Sequence, residues 1–348
     1  MKKILFAATL AVSLVIGLSA CKNPPIFAAI EQEVKLNPAT VKGRVRGIVE
    51  INNTLYASNG KIWYKEKGKT GKWSEMKDCP SGLCTGLAVD GPNLYAAFEQ
   101  SDTFTIHWYD TGTKSWTKVP GLTAQAVFGS RAVFAIESRK SGNATTYTIR
   151  TFVGGSTLSA PWTSPTDKAP VGAAGLYCLL ENGLYKNDGT PKNGSGSPSS
   201  GLKGICEGPT DDSVFVVDNT KLYCYDGTNW TSTAHGVSNP QSITYLPSKQ
   251  LVLISGKGGY GEIKLAGSAP TLTGAQSIKA GSADSSVPPG NILQYNNSVG
   301  QKKYVINPIY AFENGTGYVI YAGVNDPNTK YSGLWGFYNP GQIEWNRE

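Results

Sequence analysis

The chain has 348 residues, of which 40% are hydrophobic and only 16% charged, so it can bury a core and is not disordered throughout. Glycine (41) and tyrosine (18) are frequent, whereas Met (2) and His (2) are scarce. This mixture favours short strands and tight turns and fits poorly with a helical bundle, a coiled coil or a doubly wound dinucleotide fold.

The amino end has the organisation of an export signal. Basic residues precede an apolar run from Ile4 to about Gly17, and small residues lead up to Ala20 and Cys21. The apolar run is short for a transmembrane span. We therefore predict that residues 1–20 are a signal peptide, cleaved between Ala20 and Cys21.

The residues at this junction, Leu18-Ser19-Ala20-Cys21, resemble the lipobox of bacterial lipoproteins. In that family the cysteine thiol is diacylated and the new amino group is acylated, so the resemblance implies a lipid anchor at Cys21. Several acyl chains give stable membrane attachment. Lys22 stands where an Asp would imply retention in the inner membrane, so the resemblance favours the outer membrane. We interpret residues 21–38 as a lipidated tether, with a short helix or closing strand at 30–36.

The charge of the exported chain is mild. Without residues 1–20 it has 30 Lys and Arg against 25 Asp and Glu, a net charge of +5. The basic residues form no dense run, and the cluster between Lys61 and Lys72 is typical of a solvated hairpin. We expect no nucleic-acid partner.

Export also bears on the remaining cysteines, because pairing is favoured in an oxidising compartment. Cys79 and Cys84 bracket a four-residue loop, and we predict a disulfide between them. Cys178, Cys206 and Cys224 allow one further bond, whose partners the sequence does not define. There is no Cys-x-x-Cys, and two histidines give no zinc-ligand spacing, so we expect no metal and no cofactor.

An internal repeat carries the prediction of the fold. Three copies have the same order: an apolar strand, a second apolar strand, an alternating aromatic strand, a polar turn, and a Trp that opens another strand. Their aromatic strands and tryptophans are Ile62-Trp-Tyr64 with Trp73, Ile106-His-Trp-Tyr109 with Trp116, and Lys221-Leu-Tyr-Cys-Tyr225 with Trp230. Four short strands joined by tight turns are typical of one propeller blade.

Weaker copies fill the rest of the chain, at residues 124–162, 176–189, 242–265 and 309–345. We therefore predict an all-β fold, a β-propeller over residues 39–348 with seven four-stranded blades of about 44 residues each. Six or eight blades remain compatible with the pattern because residues 271–304 are hard to place. Residues 191–201 replace the outer strand of one blade, and 281–290 read as a surface loop. The alternative is a pair of β-sandwich domains.

Two turns add a second resemblance. Asp110-Thr-Gly-Thr-Lys-Ser-Trp116 and Asp226-Gly-Thr-Asn-Trp230 resemble degenerate Asp boxes of sialidase-like propellers, and more loosely the turns of kelch-like and quinoprotein-like propellers. In those families such residues close a hairpin away from the active face. The resemblance implies a structural role for Asp110 and Asp226 and implies no catalysis.

The residues that catalysis would need do not form a recognisable set. A sialidase-like hydrolase requires an arginine triad, and the arginines of the mature chain do not occur in the expected first-blade motif. A Ser–His–Asp arrangement requires a histidine, but His107 lies within a predicted strand and His235 in a predicted loop, without a Gly-x-Ser-x-Gly nearby. The Gly-rich residues 256–261 are typical of a hairpin loop. We predict no catalytic residue.

Binding is the function that the pattern favours. Propeller faces are loops held on a rigid ring and are suited to a protein or glycan partner. We expect one face to collect the blade junctions and the turns between second and third strands, with Arg139, Tyr260 and Tyr331 as exposed anchors. The predicted protein is a monomeric outer-membrane or surface lipoprotein. The alternatives are a periplasmic assembly factor for outer-membrane proteins and, less favoured, a sialidase-like hydrolase.

Overall fold

The computed structural model describes residues 36–267, 271–288, 290, 292, 304–327, 330–342 and 344–348. The predicted signal peptide, its cleavage site at Ala20 and Cys21, and the tether lie outside the described residues, apart from residues 36–38. The described residues from Pro38 onward belong to one compact unit. The described chain contains one 3-10 turn, Pro247–Lys249, and no helix of it is long and apolar enough to cross a membrane.

The first four antiparallel sheets follow one another in chain order. Blade 1 consists of β1 (Gly47–Ile51), β2 (Thr54–Ser58), β3 (Ile62–Glu66) and β4 (Ser74–Glu75). Blade 2 consists of β5 (Leu83–Asp90), β6 (Asn93–Gln100), β7 (Thr103–Asp110) and β8 (Ser115–Lys118). Blade 3 consists of β9 (Ala126–Phe128), β10 (Phe134–Ser141), β11 (Ala144–Gly154), β12 (Thr157–Leu158) and β13 (Trp162–Thr163). Blade 4 consists of β14 (Gly172–Ala174), β15 (Tyr177–Leu180) and β16 (Gly183–Lys186).

Three further sheets complete the unit. Blade 5 consists of β17 (Gly204–Glu207), β18 (Val214–Val217), β19 (Lys221–Tyr225) and β20 (Trp230–Ala234). Blade 6 consists of β21 (Ser242–Leu246), β22 (Leu251–Gly256), β23 (Gly259–Ala266) and β24 (Thr271–Ile278). Blade 7 consists of β25 (Val305–Asn314), β26 (Gly317–Asn325), β27 (Gly333–Asn339) and β28 (Asn346–Arg347).

The first strands of the blades form the inner ring. They contact one another in the order β1, β5, β9, β14, β17, β21 and β25, and β25 returns to β1. The predicted seven-bladed β-propeller is therefore confirmed, and the alternatives of six or eight blades and of two sandwiches are wrong. Five sheets have four strands, whereas blade 3 has five and blade 4 has three.

Alternation along each strand explains why the blades stack. On β6, Leu94 and Phe98 pack toward blade 1, whereas the intervening Tyr95 and Ala97 pack toward blade 3. Successive side chains of a strand point to opposite faces, and here both faces are covered. The middle strands of a blade are therefore almost continuously apolar, unlike the strands of a sheet with one solvent-exposed face.

Several boundaries differ from the sequence-based expectations. The sequence analysis missed β14 and the outer strand β24. The last copy of the repeat was expected to end at residue 345, but its outer strand β28 follows that residue, and Trp345 itself is buried in the core. In blade 4 the Gly/Ser/Pro tract does replace an outer strand, since the amide of Lys192 donates to the carbonyl of Leu184 at 2.8 Å.

A buried polar cluster joins blade 1 to blade 7. We call Lys65, Trp73, Tyr321, Tyr338 and Glu348 the closing cluster. The Lys65 ammonium lies 2.7 Å from the Glu348 carboxylate and donates to the Tyr338 hydroxyl at 2.6 Å. The Trp73 indole and the Tyr338 hydroxyl both donate to Glu348, each at 2.9 Å, and Tyr338 is 2.7 Å from Tyr321. Every member of the cluster has a polar partner within it.

Backbone hydrogen bonds reinforce this junction. The amides of Thr40 and Val41 donate to the carbonyl of Glu348 at 2.8 and 2.9 Å. The amide of Leu334, on β27, donates in turn to the carbonyl of Val41 at 3.0 Å. The segment that precedes β1 is therefore bonded to blade 7, so that residues distant in sequence close the ring.

Because the Lys65–Glu348 pair is buried, the stability of the fold is sensitive to the loss of either side chain. Their side chains are only 2% and 7% exposed. Loss of hydration lowers the pKa of Lys65 and raises the pKa of Glu348, and the attraction and hydrogen bond between the two side chains oppose both shifts. Removal of one member of a buried pair leaves the other charge without compensation.

We expect Lys65→Met to lower the free energy of unfolding by about 3–5 kcal/mol, because Glu348 would remain buried without a cation. Lys61→Met is the matched control, since Lys61 pairs with Glu75 at 2.7 Å but its side chain is 63% exposed. The control should cost about 0–1 kcal/mol. Urea unfolding followed by tryptophan fluorescence measures both values, and equal losses would contradict the role of the closing cluster.

Candidate functional site

A groove of about 920 Å³ lies between blades 1 and 2. We call it the blade 1–2 groove. It is formed by the β1–β2 turn, strands β2 and β3, the chain from β4 to residue 78, and the end of β7 with the turn that follows. Its lining residues are Ile51, Asn52, Thr54, Tyr56, Tyr64, Ser74, Glu75, Met76, Lys77, Asp78, Tyr109, Thr111 and Lys114.

Three tyrosines line the groove, of which Tyr56 is only 7% exposed. The rings of Tyr56 and Tyr64 are 6.5 Å apart between centroids, and the ring of Tyr109 lies 5.1 Å from that of Trp116. Tyr64 is 42% exposed, and within the described chain only Leu83 is a comparably exposed large hydrophobic residue. Tyrosine combines a large apolar face with a polar tip and is enriched where proteins bind partners.

Strand register places these rings together. Tyr56 on β2 is the Cα partner of Tyr64 on β3, so both side chains lie on the same face of blade 1. On blade 2, Tyr109 pairs with Leu94 and Trp116, and it contributes to the apolar cluster shared with blade 1. The two facing blades therefore provide opposite walls of the groove.

Charged groups surround the aromatic surface. Glu75 is paired with Lys61, but Lys77, Asp78 and Lys114 are exposed and make no ion pair within the described chain. Burial, with a smaller contribution from nearby Tyr109 and Tyr64, raises the pKa of Tyr56 to about 12. Burial also raises the pKa of Tyr109. At neutral pH these phenols are therefore protonated and can donate hydrogen bonds.

The groove chemistry is that of a binding surface: aromatic faces, hydroxyl donors and a few accessible charges. In the part of the chain that the structure describes, no group of three or more His, Cys, Asp or Glu side chains is arranged to hold a metal ion.

The predicted anchors lie elsewhere, and none of them lines the groove. Arg139 is exposed on β10, and its partner-binding role stays a prediction. Tyr260 is only 7% exposed and its hydroxyl donates to the carbonyl of Pro288 at 2.7 Å. Tyr331 is 8% exposed and lies under the guanidinium of Arg347. The expected exposure of Tyr260 and Tyr331 is therefore wrong, because loop and blade 7 residues cover both rings.

The sequence analysis missed Tyr56, Tyr64 and Tyr109 as site residues. A signal was present, since the aromatic motifs in the third strands of blades 1, 2 and 5 end on Tyr64, Tyr109 and Tyr225. Tyr109 and Tyr225 hold the same position, each opposite a Trp, but Tyr109 lines the groove whereas Tyr225 is only 6% exposed. Which copy is open depends on the segment that passes over it, and strand periodicity does not report that.

The cysteines of the described chain are all free thiols, so the predicted Cys79–Cys84 disulfide is not formed in this structure. Both thiols lie in the apolar cluster between blades 1 and 2. Burial raises the pKa of Cys79 to about 12 and that of Cys84 to about 11. Cys206 and Cys224 pair with the same residue, Phe215, from opposite sides. Two strand spacings separate them by about 10 Å, beyond the reach of a disulfide.

Both histidines contact groups of the fold itself, one through ring packing and the other through backbone hydrogen bonds. His107 lies on β7 with its ring 5.7 Å from that of Phe98. His235 is 3% exposed in the junction before β21. Its Nδ1 accepts from the amide of Val237 at 2.9 Å, and its Nε2 lies 3.1 Å from the carbonyl of Asp218. The neutral ring with a proton on Nε2 satisfies both contacts.

The turn aspartates close their hairpins. The Asp110 carboxylate accepts from the amide of Gly112 at 2.8 Å, and the Asp226 carboxylate accepts from those of Thr228 and Asn229 at 2.8 and 2.7 Å. Hydrogen bonds from these amides, Gly112 and Asn229 first, lower the pKa of each carboxyl. Both aspartates therefore act structurally, as predicted.

Comparisons with known proteins show that this sequence is similar to lipoproteins. A family model described as the TP013X lipoprotein family matches residues 2–348. Two proteins of Treponema pallidum (strain Nichols), each named an uncharacterized lipoprotein, are 26% and 25% identical over 388 and 373 aligned residues. Each alignment covers 95% of this chain, and 96% and 93% of the respective relative. The similarity therefore extends over nearly the whole chain.

We expect the protein to lose stability as the pH falls through about 6.5, partly through His235. Burial lowers the pKa of the folded His235, whereas the unfolded imidazole takes up a proton near pH 6.5. The unfolded state thus binds more protons below that pH, and acid favours unfolding. His235→Asn should flatten the dependence of urea midpoints between about pH 7.5 and about pH 5.5.

His107→Asn is the comparison variant, because burial and Lys118 also lower the pKa of His107. It should remove only its own share of the pH dependence. An unchanged slope in His235→Asn would show that the buried imidazole is not a source of the acid sensitivity.

Proposed function

This chain belongs to the TP013X lipoprotein family, and from that premise we propose that it is a lipid-anchored, non-catalytic binding platform. The proposed anchor is the acylated Cys21, and the proposed location is the outer membrane or cell surface. The proposed partner is a protein or a glycan.

The blade 1–2 groove is the observation that carries this proposal. Its Tyr64 is 42% exposed, a large aromatic surface that folding alone does not require to face water. Aromatic residues in a groove, surrounded by a few accessible charges, are typical of surfaces that bind other molecules. The ring of blades holds both walls, so the surface is preorganised for binding.

The binding surface and the proposed anchor lie apart in the sequence. The groove is built from residues 51–78 and 109–114, whereas the proposed acyl chains are on Cys21. A tether between the two is compatible with a partner in the periplasm or outside the cell, and the experiment below distinguishes these two positions.

We expect a photo-crosslinking amino acid at position 64 to capture a discrete partner in living cells, whereas the same probe at position 83 should capture none. Leu83 is the matched control because it is 41% exposed, close to the value for Tyr64, and does not line the groove. Adducts are detected by immunoblot of the membrane fraction and identified by mass spectrometry.

A Cys21→Ala variant should move the protein out of the membrane fraction, which tests the anchor separately from the groove. Identical adducts at positions 64 and 83, or no adduct at either, would overturn the assignment of the groove. Intact cells are also treated with external protease. An adduct that survives the treatment would place the partner in the periplasm, and one that is destroyed by it would place the partner outside the cell.

A further inference from the structure

The molecule contains a second copy of the aromatic pair found at the blade 1–2 groove. In blade 2, Tyr109 pairs across the β7–β8 ladder with Trp116, and their ring centroids are 5.1 Å apart. In blade 5, Tyr225 pairs across the β19–β20 ladder with Trp230, and the centroids are 5.0 Å apart. The repeat thus builds the same surface twice.

In blade 5 that surface is covered by an extended segment of this chain. The indole of Trp230 donates to the backbone carbonyl of Lys192 at 2.9 Å. A Cβ at Gly194 would stand 3.7 Å from the indole, so the glycine backbone passes close to the ring. Trp230 is only 8% exposed beneath this segment, and Tyr225, whose ring lies 5.7 Å from that of Tyr177 in blade 4, is 6% exposed. An extended segment rich in Gly, Ser and Pro is therefore a chemical match for this surface.

In blade 2 the corresponding surface is covered differently. Tyr109 lines the open groove, whereas Trp116 does not, and the buried indole nitrogen of Trp116 has no hydrogen-bond partner within the described chain. Blade 1 contributes the two-residue strand β4 on this side, and the chain that follows it leaves Tyr64 exposed. The groove therefore presents the tyrosine of the pair, and the indole beneath it lacks the backbone carbonyl that Trp230 has in blade 5.

The accessible charges distinguish the groove further. Lys77 and Lys114 are exposed without an ion pair in the described chain, against one similarly unpaired acid, Asp78. This local excess of positive charge favours a ligand with at least one carboxylate. A neutral oligosaccharide would use the tyrosine faces but would leave this charge unused.

We propose that the blade 1–2 groove binds an extended polypeptide segment that is rich in Gly and Pro and carries an acidic residue. Gly allows its backbone to approach the rings of Tyr64 and Tyr109, and its carbonyls accept hydrogen bonds from the groove. Pro-rich extended segments bind aromatic-lined grooves because little conformational entropy is lost. The proposal rests on the proposed function and narrows its partner to a polypeptide.

The test uses two probes on the soluble protein of residues 22–348: a phage-displayed library of random 12-residue peptides and an array of neutral oligosaccharides. Selected peptides are synthesised with a fluorophore, and their affinities are measured by fluorescence anisotropy. We expect enrichment of Gly- and Pro-containing acidic peptides. Tyr64→Ala should weaken binding at least about tenfold, whereas Leu83→Ala should leave it unchanged.

Charge variants make the result independent of any effect of Tyr64→Ala on folding. Lys77→Glu and Lys114→Glu change exposed side chains and should each weaken peptide binding several-fold, with a larger effect at low salt. Neutral substitution of the peptide carboxylate should have the same direction of effect.

The remaining outcomes each overturn a defined statement. Peptides that bind equally well to the wild type and to Tyr64→Ala would overturn the groove as their site. Oligosaccharides that bind in a Tyr64-dependent manner, without such peptides, would overturn the polypeptide and leave the binding platform in place. No Tyr64-dependent binding of either probe, together with no crosslinked partner at position 64, would overturn both proposals.

Discussion

Closure of the ring is the constraint on which the rest of this structure depends. A row of seven sheets leaves blade 1 and blade 7 with uncovered apolar faces unless the two are joined. The closing cluster joins them through Lys65 and Glu348, and the segment at Val41 adds backbone hydrogen bonds. Blade 1 is thereby held between two neighbours, and it carries Tyr56 and Tyr64, which form one wall of the groove.

The candidate site arises from a difference between copies of one repeat. Blades 2 and 5 build the same Tyr–Trp pair, but Lys192 and Gly194 pass over the copy in blade 5. In blade 2 the segment after β4 leaves Tyr109 on the wall of the groove, and the buried indole nitrogen of Trp116 has no such partner in the described chain. The two interfaces thus differ in the junctions between blades, which vary while the stacked strands stay alike.

The sequence was sufficient to predict the architecture because each blade must bury both of its faces. The same pattern of apolar and aromatic strands therefore recurs in every well-preserved copy. It was insufficient for β14, whose residues Gly172–Ala174 carry almost no pattern. It was also insufficient for exposure. Tyr260 and Tyr331 occur in predicted turns, yet residues distant in sequence bury them. The groove itself depends on the gap between two blades, which no single strand encodes.

Native-state hydrogen exchange of the wild type and of Glu348→Gln tests this account most directly, because it reports opening blade by blade. The account predicts that the variant loses amide protection selectively in β2 and β3 of blade 1 and in β26 and β27 of blade 7, while blades 3 to 5 remain as protected as in the wild type. Protection that is lost equally in every blade, or retained in blades 1 and 7, would contradict it.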